Sequence, residues 1–269
     1  MDSHLLGWLA VALYVAAEVY AIISLIRPRV PALPGHLLIG AGLLLQFADL
    51  EARARAMHSV PYKTIGGSMS LFGWMLGLSY LALLFRHRDR AVGPFLIPFV
   101  VLFSILGLLL PQPATVTARP DTRGVMFALH VTFAILGYAA FTFSFVLSLL
   151  YLIQNRQLRR VKTGLLFSRL PALDVLGGMI RTSVSIGLSV LGVSVVLGII
   201  WAERVWGRLP DAKLGAAILT LIVYGFLLWK DRRGWVGERV ALLSILGFAL
   251  IIFSYTFVNL YFSAEHVFR

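Results

Sequence analysis

The feature that most limits what this chain can fold into is a repeated run of apolar residues, each run long enough to cross a lipid bilayer. About 20 residues of helix span the roughly 30 Å of hydrocarbon, and eight such stretches occur, at about 5–26, 33–50, 65–85, 92–110, 124–153, 180–202, 214–229 and 240–263. Inside hydrocarbon every backbone N–H and C=O must be satisfied within the protein, so runs of this length predict helices. The expected fold class is all-α: a polytopic transmembrane helical bundle of about eight spans, a single integral membrane domain over residues 1–269. With 59% apolar and 13% charged residues, a soluble fold is excluded. The formal charge of +12 is spread through short loops, which fits membrane topogenesis and gives no nucleic-acid surface. The first run continues into Arg27-Pro28-Arg29 with no small-residue cleavage site, and is expected to be a retained anchor.

Orientation follows from the basic residues. With both termini outside, 15 of the 24 Lys and Arg fall on the inner side and 9 on the outer, so the positive-inside rule favours N-out and C-out. The expected location is a bacterial cytoplasmic (inner) membrane, multi-pass, with extracytoplasmic termini. His4, His58, His130 and His266 then lie on the outer side, and His36 and His87 on the inner. His4 and His87 read as solvated surface residues. His36, after Pro34-Gly35, either caps the second helix from the interface or reaches inward as a ligand, and His58 stands as a further possible ligand.

The fifth span is the longest, and it carries His130 near its start and a basic cluster at its end. An imidazole at the edge of a lipid-length helix is costly to desolvate and generally has a partner or a task. Steps of four and three residues from it give Ala134, Gly137, Phe141, Ser144, Ser148 and Tyr151, a stripe fit for helix packing or for a flat ligand. Pro94 and Pro98 predict a kink or late start in the fourth span. The proline-rich stretch 111–123 predicts an irregular outer loop. Residues 154–178 predict an amphipathic interfacial helix broken at Pro171. Nearly all of the twelve acids are expected in loops or at helix ends, with no buried carboxylate in mid-span to suggest a coupled site.

Between the sixth and seventh spans an outer loop is expected over 201–213, with Trp201 and Trp206 as boundary residues. By topology it emerges beside His130 and His266. Two histidines from separate helices across an aromatic and cationic loop could form a bis-imidazole haem site, with Arg204, Arg208 or Lys213 near the propionates. The absence of cysteine excludes structural disulfides, a CxxC redox pair and the CxxCH haem-attachment motif.

The order of these features carries a resemblance. A histidine opens a long fifth helix (LHVTFAILGYAAFTFSFVLSLLYLIQNRQL), a Trp-Gly outer loop follows, and then GWVGERVALLSILGFALIIFSYTFVNLYFSAEH. With HLLIGAGLLLQ in the second span and the stretch from Pro61 to Trp74, the chain resembles the cytochrome c assembly family of CcsA- and HemX-type haem-handling membrane proteins, over a core of about 36–266. The resemblance implies haem b as cofactor, held by His130 and His266 as axial ligands to the iron on either side of a loop containing Trp201, Arg204, Trp206, Arg208 and Asp211. It also implies membrane lipid, haem and an apocytochrome c or another assembly subunit as partners. The family loop runs W-G-x-x-W-x-W-D, whereas Trp206-Gly207 here is followed by Arg208-Leu209-Pro210 and then Asp211, so two tryptophans are missing. Gly67 stands where many relatives carry an acid.

Three functions are compatible with these residues. The first is a haem-handling accessory in cytochrome c biogenesis without catalysis of its own, since a chain with no cysteine needs a partner to supply thiols. The second is a HemX-like membrane regulator or scaffold of haem biosynthesis without stable haem binding, acting through its basic inner loops. The third and weakest is a small-solute transporter, disfavoured by the lack of matched interrupted helices and of a mid-span carboxylate.

Overall fold

A computed structural model of the chain describes residues 3–27, 29–56, 62, 64–89, 91–110, 124–160, 164–207, 211–235 and 237–261. Within that range the side chains of 3–4, 165–166, 206, 211–213 and 255–261 are not described. The described residues form helices and their connections, with no strand among them. In chain order these are α1 (Ser3–Ile26), α2 (Leu33–Ala56), α3 (Ile65–His87), α4 (Gly93–Leu109), α5 (Val125–Arg159), α6 (Leu165–Arg169), α7 (Leu173–Trp206), α8 (Asp211–Arg232) and α9 (Gly237–Tyr261). Seven are long and apolar enough to cross a membrane, and α4 is a shorter apolar helix of 17 residues. The expected all-α, multi-span architecture is therefore what the chain adopts. The proline-rich stretch 111–123 lies outside the described residues.

Several boundaries differ from expectation, each for a local reason. Pro94 occupies the first turn of α4, where its missing N–H costs nothing, so the helix starts without delay; Pro98 is accommodated inside it. The expected interfacial helix is reduced to the five residues of α6. On one side α5 continues to Arg159, and on the other Leu173–Gly178 is the opening of α7. Pro171 separates them, because the residue before a proline is pushed out of helical geometry.

The chain divides into two compact units, the first comprising 1–118 and 163–171 and the second 119–162 and 172–269. In the first, α1 packs on α2 and α4, and α3 on α4 and α2. α6 belongs to this unit, with the Arg169 Nη2 donating to the Ile26 carbonyl at 3.2 Å. Its centre is polar. The Tyr14 hydroxyl donates to Gln46 Oε1 at 2.7 Å, and Gln46 Nε2 donates to the Ser70 carbonyl at 3.0 Å and Ser104 Oγ at 3.1 Å, joining all four long helices. One turn along α2, Asp49 is fully buried and ion-paired with Arg53, whose Nη1 also points at the Gly107 carbonyl of α4. Glu18 lies well inside α1, half-buried, its Oε2 enclosed without a hydrogen bond among the described residues. Asp49 corrects the expectation that no carboxylate is buried within a span. The reason is geometric: Asp49 and Arg53 lie one turn apart, so a single helix carries its own counter-charge inward.

In the second unit α5 makes its largest contact with α7 and also packs on α9, while α8 packs on α9 and α7. The stripe running from His130 along α5 is a packing face. Phe141 is fully buried, stacks on Tyr224 of α8 with centroids 3.9 Å apart, and lies flat against Gly187 of α7, where a Cβ would come within 2.6 Å of its ring. Ser144 is hydrogen-bonded to Ser244 of α9, and Tyr151 abuts Gly237 at the start of that helix. Small residues let these backbones approach, as the stripe requires. At the far end of α5, Asn155 and Arg159 donate to Glu238 Oε2 at 3.2 and 2.6 Å.

Removing one member of a buried ion pair leaves an uncompensated charge, at about 3–5 kcal/mol. Asp49→Leu should therefore lower the unfolding midpoint in detergent sharply, and Asp49→Leu combined with Arg53→Met should recover most of the loss. Equal stability of the single and double variants would show that the pair is not what matters there.

Candidate functional site

His130 occupies the second turn of α5, facing α7 across the most extensive helix contact in its unit. Ser194, Gly198 and Trp201 recur on α7 at intervals of four and three, which places them on one face. That face receives the imidazole. His130 Nδ1 lies 2.7 Å from the Ser194 carbonyl, and the Ser194 hydroxyl donates to the His130 carbonyl, also at 2.7 Å, with its oxygen 3.2 Å from Nδ1. A carbonyl can only accept, so Nδ1 carries the proton. In the neutral ring Nε2 then holds the lone pair.

Gly198 sets how close the ring can lie. A Cβ there would come within 2.5 Å of His130 Cε1 and 2.6 Å of Nδ1, so the imidazole rests directly on the α7 backbone. One turn nearer the end of α7, Trp201 is buried and tilts against Phe127 with centroids 4.7 Å apart. Phe127 in turn stands 6.3 Å from the His130 ring. The result is a half-buried imidazole with a fixed tautomer, backed by a glycine and flanked by an aromatic pair.

The expected outer loop over 201–213 is mostly helix. α7 continues without a breaker through Trp206 and stops at Gly207, whose φ of 63° is the left-handed conformation that glycine adopts freely. Trp201 is consequently a packed helix residue, not a loop residue at the boundary. Arg204, in the last turn of α7, is exposed. Trp206 ends the helix and Asp211 begins α8, the side chains of both being undescribed. Arg208, His58 and His266 lie outside the described residues. His36 sits in the first turn of α2, in the other unit, with its amide bonded to the Ala32 carbonyl at 3.3 Å. Thus His130 and Trp201 are brought together through Phe127, while Ser194 and Gly198 emerge as the cradle. The sequence shows Gly187, Ser194 and Gly198 only as a small-residue face; their level opposite a histidine is the signal that distinguishes two of them. Among the described residues no three His, Cys, Asp or Glu side chains form a metal cluster.

These features define a class: a polytopic helical membrane protein with one oriented imidazole at the edge of a span. Residues 63–266 match the cytochrome C assembly protein family, and the chain belongs to it. It is 32% identical over 218 residues to protein HemX of Brevibacillus brevis, covering 78% of this chain and 79% of that one. It is 33% identical over 133 residues to protein HemX of Bacillus subtilis (strain 168), covering 48% of each. To the cytochrome c biogenesis protein CcsA of Guillardia theta it is 24% identical over 220 residues, covering 74% of this chain and 73% of the relative.

The cradle makes a direct prediction. Histidine-selective 15N NMR of the purified protein, assigned by difference against His130→Gln, should show His130 protonated at Nδ1 and bare at Nε2. Gly198→Ala should displace the ring and abolish this single-tautomer signature while the helices persist. A wild-type ring protonated at Nε2 alone would contradict the geometry.

Proposed function

We propose that this protein is a haem-handling membrane protein of cytochrome c biogenesis, in which His130 would supply a nitrogen ligand to the iron of haem b. Family membership gives the role in cytochrome c biogenesis. The observation that carries the finer reading is the protonated Nδ1 held by the Ser194 carbonyl, which leaves Nε2 as a lone-pair donor. A second-sphere bond from the other ring nitrogen to a carbonyl is the usual way a ligating histidine is oriented and made more basic. The donor set therefore fits the group: an imidazole, an adjacent aromatic wall of Phe127 and Trp201, and the exposed guanidinium of Arg204 one turn away for a carboxylate. Haem contributes its iron as the electrophilic centre that accepts nitrogen ligands. His266 is the second ligand in this proposal, with Trp206, Arg208 and Asp211 completing the surround.

The protein acts as an accessory and does no haem-ligation catalysis alone. Cysteine thiols for covalent attachment come from an apocytochrome c or are managed by another assembly subunit, since this chain has none. Its place is the bacterial cytoplasmic membrane, both termini outside, so that His130 and His266 share the outer face. A second reading, favoured by the HemX relatives' higher identity, is a membrane regulator or scaffold of haem biosynthesis without stable haem.

Visible spectra of the detergent-purified protein, with haemin and dithionite added, separate the two. Haem handling requires a low-spin spectrum that weakens in His130→Ala and His266→Ala and survives His87→Ala. Loss in all three would indicate misfolding, and no specific band in wild type would favour the regulator. A topology reporter fused after Arg269 should be active only outside the cytoplasm; cytoplasmic activity would separate the two histidines from the outer face.

A further inference from the structure

The turn between α8 and α9 concentrates cations and rings in a way the haem site does not use. α8 ends at Arg232, and the chain reverses through Gly234, whose φ of 83° permits the tight turn; the Trp235 amide donates back to the Lys230 carbonyl at 3.2 Å. This places the Lys230 ammonium over three rings at once, 4.8 Å from Trp229, 5.2 Å from Trp235 and 5.4 Å from Phe226. Arg233 lies over Trp229 at 5.0 Å and Arg239 over Trp235 at 6.0 Å.

Charge at this corner is unbalanced. Its two acids, Asp231 and Glu238, are already engaged by Arg181 of α7 and Arg159 of α5. Lys230, Arg232, Arg233 and Arg239 have no carboxylate within ion-pair distance among the described residues. Four cations so close together repel one another and call for an external anion.

The surface below them says which kind. Ile222, Phe226 and Trp229 follow one another on α8 at intervals of four and three, and all three are exposed, Ile222 at 61%. A further step of four reaches Arg233, whose amide still bonds to the Trp229 carbonyl at 3.2 Å. One face of a membrane-length helix thus runs as an apolar ridge into a cationic head, with aromatic rings at the junction. Tryptophan and basic residues together at that level are suited to the boundary between acyl chains and headgroups.

We infer that the α8–α9 corner is a seat for an anionic phospholipid, its phosphate held by Lys230, Arg233 and Arg239 and its acyl chains laid along Ile222, Phe226 and Trp229. A free phosphate would use the cations but not the ridge, and a soluble acidic protein would not reach down it. The rings hold the charged ends of Lys230 and Arg233 at this junction, so less ordering is needed when the phosphate arrives.

The test uses the full chain in detergent, titrated with phosphatidylglycerol or phosphatidylcholine brominated on the acyl chains, with tryptophan quenching as the readout. Phosphatidylglycerol should reach half-quenching at the lower mole fraction, and each cation neutralised should weaken this preference about fivefold. Lys230→Gln with Arg233→Gln should therefore remove most of it, and Arg86→Gln, an exposed cation at the end of α3, should not. Raising sodium chloride should erode the preference in the unaltered protein, which keeps the test valid if the double variant folds poorly. Three results would each overturn the proposal. Equal quenching by the two lipids would leave the corner to a soluble acidic partner. Full competition by inorganic phosphate would make it a free-anion site. An undiminished preference in a folded double variant would move the lipid elsewhere.

Discussion

Close approach between α5 and α7 is the constraint on which the second unit rests. In a hydrocarbon setting the hydrophobic effect does not drive one helix against another, so association relies on van der Waals fit and on hydrogen bonds between helices. Both are present along this contact. Gly187 admits the ring of Phe141, and Ser194 and Gly198 admit His130, so aromatic and polar side chains of α5 reach the backbone of α7 itself. The same packing that holds the unit together therefore orients the His130 imidazole. Ser144 and Ser244 extend the arrangement to α9, and Tyr224 extends it to α8.

The first unit solves a different problem. Its helices carry groups that hydrocarbon penalises, and it places them where they satisfy each other: Gln46 at the centre of four helices, Asp49 against Arg53 one turn away. Partly satisfied networks in a low dielectric are costly and fully satisfied ones specify a single packing. Gln46 uses its amide oxygen for Tyr14 and its nitrogen for Ser70 and Ser104, so its register on α2 sets that of α1, α3 and α4. Among the described residues of this unit, Glu18 Oε2 and Arg169 Nε are buried without a hydrogen bond, so its polar groups are not all met.

The helical, multi-span fold was legible because length and apolarity are properties of single segments, and the family resemblance could be read from motif order. What could not be read from the chain depends on neighbours. Asp49 and Arg53 look like the polar end of a span until α4 supplies the Gly107 carbonyl and the enclosure. That Trp201 is buried could not be read from its own segment, because the ring that covers it, Phe127, belongs to another helix. Residues 201–206 read as loop because charges and a Trp-Gly pair suggest one, yet no residue before Gly207 breaks the helix. His130 could be singled out from its position alone, but its tautomer is set by a carbonyl 64 positions away in sequence.

That carbonyl has a wider consequence. Ser194 lies inside α7, where its C=O already takes part in the helix's own ladder, so the imidazole is an additional guest at an oxygen whose needs are met without it. The ring borrows a polar group that the ladder already presents, so α7 carries no side chain dedicated to fixing its tautomer. Which ring nitrogen is bare is decided by the level at which the two helices meet, and a change that slid α5 along α7 would alter it without touching the histidine.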